Sequence, residues 1–513
     1  MLLMTSLSCA LLMGSVPDRP NILFIYSDDH SAAAVGAYGS QINETPHLDR
    51  LASEGIVFDN AFCTNGICAP ARAVVLTGLH SHLNGVRDNG GRLDQTKPTF
   101  PRLLNEAGYN TAIIGKWHLK DDPVGFDHWE VLPGQGHYYA PDFLTPEGKV
   151  REAGYVTDLT VDKSIAWLDE DWDREKPFLL MCQNKAPHRG WMPGPDHLTK
   201  YDGEEIAEPS TLFDDWTGRS EAASQQEMTI DRHMYEYYDL KVPPLDEDQQ
   251  LQGPDRWMDN ILGRMSPEQR AAWDAAYGPR NQAYRDSDPK GDDLHRWKYQ
   301  RYIKDYLRCI ASVDDNVGRL LQWLDENDLA ENTIVVYTSD QGFFLGEHGW
   351  YDKRFMYEPS LRSPFIVRWP GMVKPGSRDD HLVQNLDVAQ TFLDIAGVPA
   401  PAAMQGRSMV PLLKGEDPEG WRDAIYYEYF EKGIHAVQPH YGVRTDRYKL
   451  MYFPELDAWE LYDLKTDPDE VDNLAGLSDY EPVQARLREE LDRLRLHYLV
   501  PEALASGEDQ SSR

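Results

Sequence analysis

Four short apolar runs in this 513-residue chain each hand over directly to ionisable side chains. After "NILFIY" come Ser27, Asp28, Asp29 and His30; after "TAIIG" come Lys116, Trp117 and His118. After "PFLLMC" come Gln183, Asn184, Lys185 and then His188; after "TIVVYT" come Ser339, Asp340 and Gln341. Each group alone has an ordinary explanation, since paired aspartates often cap helices and a lone histidine is usually surface or core. Four runs ending alike need a common one. Asp28, Asp29 and Asp340, with the amide oxygen of Gln341, form a hard all-oxygen set that suits Ca²⁺ or Mg²⁺ better than Zn²⁺. Arg72, Lys116, Lys185 and Lys353 add positive charge. A cation site among basic side chains indicates an anionic ligand, such as a phosphoryl or sulfuryl group.

The stretch "NGICAPARAVVLTG", Asn65 to Gly78, adds a thiol. Pro70 suits the first position of a helix, which would put Cys68 at the helix's positive end, where free N–H groups favour an anion. A cysteine-phosphatase loop would need arginine at the sixth position after its cysteine. Val74 stands there, and Ala69 stands at the matching place after Cys63. A papain-like Cys/His pair has no use for three carboxylates. Soft thiolate is also a poor partner for a hard cation. An oxygen nucleophile would fit these surroundings; an unmodified thiol fits them badly.

These residues need a scaffold that brings strand ends together. Asn21–Tyr26, Thr111–Gly115, Pro177–Cys182, Thr333–Thr338 and Pro364–Trp369 read as buried strands. Helical patterns lie between them, at Pro101–Ala107, Asp158–Leu168 and Arg296–Glu326. Alternation of this kind predicts an α/β fold with a large, mostly parallel sheet, whose strand carboxyl ends converge on one crevice. Tyr201 to Leu294 is polar and lacks a strand signal, and reads as an insertion lying over the surface. From about Trp421 the pattern changes to three β-like runs, "AIYYEYF", "YGVRTDRYKLMYF" and "WELYDL", and a final amphipathic helix over Pro482–Tyr498. The expected organisation is a catalytic domain over 19–420, with the insertion at 201–294, and a small α+β subdomain over 421–513.

"CAPAR" matches the C-x-P-x-R core of the sulfatase signature, in which the cysteine is oxidised to formylglycine (3-oxoalanine). The match continues through "YSDDH", "GKWHL", "KAPH", "SDQGFFLGEHGWYDKRFMYE" and "HYGVRTDRYKL…WELYDL", in order along nearly the whole chain. The chain thus resembles the formylglycine-dependent sulfatases, with Ala71 where serine is common and Gln341 where asparagine is common. The resemblance implies an alkaline-phosphatase-like α/β sandwich with a small C-terminal subdomain. It implies one Ca²⁺ held by Asp28, Asp29, Asp340, Gln341 and converted Cys68, and a maturation enzyme that generates the formylglycine. It assigns one hydroxyl of the aldehyde hydrate to attack on sulfur, with Lys116 and Lys353 neutralising the sulfuryl oxygens and Arg72 orienting the hydrate. His188 would protonate the departing alcohol. His118 would take a proton from the remaining hydroxyl, so that the hemiacetal collapses and expels sulfate.

The middle segment, "APHRGW" and the run from His440 resemble bacterial sulfatases of glycosaminoglycans and other polysaccharides, notably N-acetylglucosamine-6-sulfatases. That implies a sulfated oligosaccharide or polysaccharide substrate, with Lys185, Asp352 and His440 as candidate contacts. The alternatives are another polysaccharide or aryl sulfatase, a phosphoesterase of the same superfamily, or an inactive carbohydrate binder. The intact acidic and basic set argues against the binder.

Composition sets the bounds. The formal net charge of −34 disfavours nucleic-acid binding. The 41% hydrophobic content with 14 Trp belongs to a globular chain. The opening "MLLMTSLSCALLMGSV" resembles a secretory apolar region without its basic start, predicting a signal peptide over 1–18 and a secreted or periplasmic protein. Cys9 is a poor lipobox match because Ser6 stands where leucine is usual. The run is too short to span a membrane, and no later one is long enough. Cys63, Cys68, Cys182 and Cys309 show neither a CxxC pair nor zinc spacing, and Cys182 and Cys309 read as core.

Overall fold

The computed structural model describes residues 19–246 and 249–502. The expected signal peptide and Cys9 lie outside them. The apolar runs form strands β1 (Asn21–Ser27), β2 (Asn110–Lys116), β3 (Phe178–Gln183), β4 (Thr333–Ser339) and β5 (Phe365–Arg368). They sit at the centre of a ten-stranded sheet. Its order from one edge is Ser377–Asp379, Ile56–Phe58, β5, β4, β1, β3, β2, His128–Leu132, Asp142–Thr145 and Gly148–Arg151. β4, β1, β3 and β2 run parallel, while β5 pairs antiparallel with β4.

Both faces of the sheet are covered, which is why these strands are apolar throughout rather than alternating. On β1, Leu23 and Ile25 enter one core with Trp167 and Tyr306, whereas Ile22, Phe24 and Tyr26 enter the other with Ala73 and Phe392. The helices concerned are α1 (Cys68–Thr77), α2 (Val156–Glu170) and α4 (Asp292–Glu326), with Phe392 on a further helix over Val388–Ile395, while α3 (Pro267–Ser287) adds Trp273 and Tyr277 to the first core. Cys182 and Cys309 are fully buried in the first core. This is the expected α/β sandwich.

Register fixes where the chemistry falls. Tyr26 faces Gln183 and Thr338 across the sheet, Ser27 faces Ser339, and Gly115 faces Gln183. The residues after all four strands therefore emerge at one level, on one edge.

Three sequence expectations change. The 201–294 segment has no strand among its described residues, yet it does not merely lie over the surface. Met234, Leu240, Trp273 and Tyr277 are buried in the large core, because α3 lays one apolar stripe against it. The run Tyr441–Phe453 is two strands rather than one. It belongs to a four-stranded antiparallel sheet of β6 (Ala424–Tyr429), β7 (His440–Thr445), β8 (Tyr448–Phe453) and β9 (Ala458–Asp463). The polar Thr445-Asp446-Arg447-Tyr448 turn divides the run, with the Thr445 hydroxyl accepting the Tyr448 N–H. Finally, α1 begins at Cys68 itself and Pro70 lies in its first turn, where a missing N–H costs little. Cys68 is still at the positive end.

One face of the small sheet takes α5 (Glu481–His497) through Leu487, Leu491 and Leu494. The other packs Ile425, Tyr427 and Tyr429 against Phe62, Ile67 and Phe355, the segments that carry Cys68 and Lys353. The subdomain is a wall behind the site.

Candidate active site

The convergence expected from strand ends is present. Asp28, Asp29, Cys68 and Asp340 each offer one ligand atom, all within 4.8 Å of one another and all buried. That spread is about twice a Ca²⁺–oxygen bond of ~2.3–2.6 Å. Asp28 Oδ1 and Gln341 Oε1 are buried without a hydrogen-bond partner, and unpartnered buried oxygens are what a hard cation satisfies. The donor set fits a divalent metal of the Ca²⁺ or Mg²⁺ class. Gln341 is held by its Nε2–H, which donates to Asp29 Oδ1 at 2.5 Å. Asp340 is held by its Oδ1, which accepts the Asp29 and Gln341 N–H groups at 3.0 and 3.1 Å.

The cations surround this cage. Lys116 Nζ pairs with Asp28 Oδ2 and donates to Gln135 Oε1 at 2.6 Å. Arg72 follows Cys68 by one helical turn and reaches Asp340 Oδ2 at 3.3 Å, Gln183 Oε1 at 2.7 Å and the Lys116 carbonyl at 2.9 Å. Lys353 lies against Asp29. Lys185 is 4% exposed, sits 4.7 Å from the Tyr138 ring centroid, and pairs with no carboxylate among the described residues. Burial and the nearby Lys116 push its ammonium down to about 8. An unneutralised buried cation calls for an anionic ligand.

The electrostatics divide the carboxylates. Burial alone would raise Asp28, but the Lys116 ammonium and the Arg72 guanidinium outweigh it and hold Asp28 well below the usual carboxylate range. Burial lifts Asp29 to about 6 against the pull of Lys353, and lifts Asp340 with help from Asp28. Burial also pushes the Cys68 thiol up, with Asp28 adding to it, so the free cysteine holds its proton and is no thiolate nucleophile. His118 and His188 are kept neutral by burial and by Lys116. The Nε2 atom of His188 lies 3.9 Å from Asp29 Oδ2, and His118 Nδ1 is buried without a partner.

Strained backbone is part of the site. Asp29, His118, Asp352 and Arg354 all have positive φ, at 68°, 61°, 76° and 97°. Non-glycine residues persist in that region only where their surroundings over-determine them, as functional sites do.

Two substrate-contact expectations fare differently. Asp352 is buried and paired, 2.9 Å from Arg354, 3.7 Å from Lys353 and 3.4 Å from His435. His440 is corrected. It is 1% exposed, boxed by Phe355, Tyr427 and Phe453, with its Nε2 accepting the Met356 N–H and its Nδ1 against the Gln438 carbonyl. Both ring nitrogens serve the protein's own backbone, so none is left for a sugar.

The histidine of that segment that reaches the site is His435, beside Asp352. Its side chain is 15% exposed, like those of His188 (13%) and Arg189 (12%), and these three mark the opening. Sequence reasoning gave no role to Gln183, which it named only as following a strand, and passed over Gln135, Arg354 and Tyr427. Gln183 and Arg354 adjoin residues already singled out. His435 and Tyr427 carry no local signal, because distant strands bring them in. Tyr427 accepts the Gly66 N–H at 3.0 Å and donates to the Arg354 carbonyl, bridging the Cys68 loop to the Lys353 loop. A Cβ on Gly66 would lie 2.6 Å from that phenol oxygen, which is why glycine stands there.

Residues 20–398 match the Sulfatase family, and residues 346–497 match the family described as N-sulphoglucosamine sulphohydrolase, C-terminal. An N-acetylglucosamine-6-O-sulfatase of Bacteroides thetaiotaomicron is 46% identical over 498 residues, covering 96% of this chain and 89% of that protein. A Delta 4,5-hexuronate-2-O-sulfatase of the same organism is 26% identical over 483 residues, covering 93% of this chain and 88% of its own. A solved structure in complex with its substrate D-glucosamine-2-N,6-O-disulfate superposes with a TM-score of 0.91 at 45% identity, covering 94% of this chain and 98% of that one. Sulfatases as a family employ a formylglycine and a divalent metal. With this site and these matches together, the chain belongs to the sulfatase family and is a sulfuric ester hydrolase.

Proposed function

We propose that this enzyme removes the 6-O-sulfate from glucosamine-type residues of a sulfated glycan. The observation that carries the reading is the 46% identity, over almost the full length of both chains, to an N-acetylglucosamine-6-O-sulfatase. The superposed structure with a 6-O-sulfated glucosamine supports it.

Asp28, Asp29, Asp340 and Gln341 would hold one Ca²⁺ together with residue 68. Bound there, the ion supplies positive charge to the sulfuryl oxygens, and Cys68 converted to formylglycine by a maturation enzyme supplies a hydrated aldehyde, an oxygen nucleophile whose second hydroxyl allows sulfate to leave. Lys116, Lys353 and Lys185 bind and neutralise the sulfuryl group. Arg72, anchored by Gln183, orients residue 68. His188, at the opening, donates a proton to the departing sugar oxygen. His118 takes a proton from the hydroxyl of residue 68 at its unpartnered Nδ1. Both imidazoles are neutral in the free site, as the base role of His118 requires, and the bound sulfate ester anion favours the protonated form that His188 needs as acid. Asp352, Arg354 and His435 grip the sugar hydroxyls.

The catalytic domain is assigned to 19–420 with its insertion at 201–294, and the subdomain to 421–513. A leader over 1–18 with secretion or periplasmic residence suits a glycan substrate. Among the described residues no helix is long and apolar enough to cross a membrane. The deciding experiment compares sulfate release from 6-O-sulfated N-acetylglucosamine, 2-O-sulfated uronate and galactan sulfates. Release from the first alone is expected, and inactivity on it overturns the substrate.

A further inference from the structure

Arg189 follows His188 directly, yet its guanidinium is engaged beyond the carboxylate cage. Its Nε and Nη2 donate to the two oxygens of Asp239 at 2.9 and 2.7 Å, and its Nη1 lies 3.1 Å from His435 Nε2. Asp239 is fully buried and belongs to the 201–294 segment, so the pair joins that segment to the opening of the site. Tyr351 covers the guanidinium at 4.9 Å.

The ring that Arg189 reaches is held in a strained place. His435 has φ 54° and Ala436 φ 48°. The His435 carbonyl accepts the Glu227 N–H at 2.6 Å, and His435 Nδ1 is 2.9 Å from the Glu227 carbonyl. A carbonyl only accepts, so Nδ1 carries the proton. Burial keeps the ring neutral, pushing its pKa down to about 4, with Asp352 opposing and Arg189 and Arg354 assisting. Nε2 is therefore an acceptor, and Arg189 supplies its N–H. Without that donor, the Nε2 lone pair would face Asp352 Oδ2, 3.4 Å away, and the ring would gain by turning or by taking a proton.

We propose that Arg189, braced by Asp239, is a positioning residue that fixes the tautomer and direction of the His435 ring, and through it the grip on the sugar rather than the sulfuryl chemistry. The inference rests on the sugar-binding assignment of His435 made above. It makes part of the 201–294 segment a specificity element.

The test measures kcat, KM and Tm on 6-O-sulfated N-acetylglucosamine for the wild type, Arg189→Lys, His435→Ala and the double variant. Arg189→Lys keeps a charge for Asp239 but loses the fork. KM should rise about tenfold with kcat within about twofold, and the double variant should be no worse than His435→Ala alone. An unchanged KM, fully additive losses, or a fall in kcat that tracks a fall in Tm overturns the proposal. Should Arg189→Lys fail to fold, Arg189→Gln combined with Asp239→Asn gives a neutral hydrogen-bonded pair from which the same KM rise is expected. A wild type inactive on this sugar refutes the substrate assignment first, a separate outcome from a wild type that is active with an unaffected Arg189 variant.

Discussion

The Lys353 ammonium lies 2.6 Å from each carboxylate oxygen of Asp29, with both side chains buried. Asp29 is also in the carboxylate cage, so this lysine couples the cage to the cations that surround it. Replacing Lys353 by methionine keeps most of the volume and removes the charge. Turnover should fall about 100- to 1,000-fold, the usual effect of deleting one preorganised charge at a reacting group. The stranded Asp29 should also cost about 3–5 kcal/mol of stability. Added calcium, which would share Asp29, should recover part of the lost Tm. Steady-state rates and melting curves with calcium or chelator check this, and wild-type behaviour in both would refute the electrostatic role.

Cys68 is fully buried at the start of α1, and its side chain is small. Cys68→Ala should abolish sulfate release while costing no more than about 1 kcal/mol of stability. Cys68→Ser should also be inactive unless the host's maturation machinery accepts serine. Peptide mass spectrometry of active enzyme should find formylglycine at position 68. An unmodified cysteine there, in fully active protein, would remove the basis of the mechanism.

His82 and Glu428 tie the catalytic domain to the small sheet. His82 Nδ1 is 2.8 Å from Glu428 Oε2, and Nε2 is 2.9 Å from the Tyr498 carbonyl. Burial opposes charge on His82, but Glu428 and the Tyr498 carbonyl outweigh it and raise its pKa above the ordinary value near 6.5. A raised folded-state pKa means that stability is fully present below the unfolded-state value and is lost as pH rises through the folded one. Burial likewise opposes charge on Glu428, and His82 outweighs it to lower the Glu428 pKa, so that contribution is lost in acid. Tm should therefore decline from about pH 6.5 upward. In His82→Gln the decline should flatten. Thermal melts across pH 5 to 9 decide the matter; equal slopes in the two proteins would refute it.

Tyr427→Phe removes the phenol that joins the Gly66 N–H to the Arg354 carbonyl. Two buried backbone groups lose their partner, at a cost of about 1–3 kcal/mol. Because Gly66 lies just before Cys68, kcat should fall as well, more than for a subdomain substitution remote from the site. A phenylalanine variant with unchanged Tm and kcat would show that the wall does not position the loop.

The strands, the two-sided sheet and the crevice were legible because an apolar run buried on both faces leaves a signal in its own residues. The carboxylates and lysines were legible because each lies close behind such a run or within a motif of its own. The helix Pro267–Ser287 was not, since a polar outer face and an internal Gly278-Pro279 mask the stripe that buries Trp273 and Tyr277. The hairpin in Tyr441–Phe453 was hidden by continuous β character across its turn.

The sequence alone determined the chemistry: three carboxylates, an amide, four cations, two imidazoles and a cysteine whose thiol suits none of them. Tertiary structure alone decided which of two nearby histidines reaches the opening, that Arg189 turns to Asp239 and His435, and that Tyr427 clamps two loops. Local patterns record a residue's type and its immediate chain neighbours. Partners separated by hundreds of positions leave no such record, because only strand register and packing bring them within hydrogen-bond range.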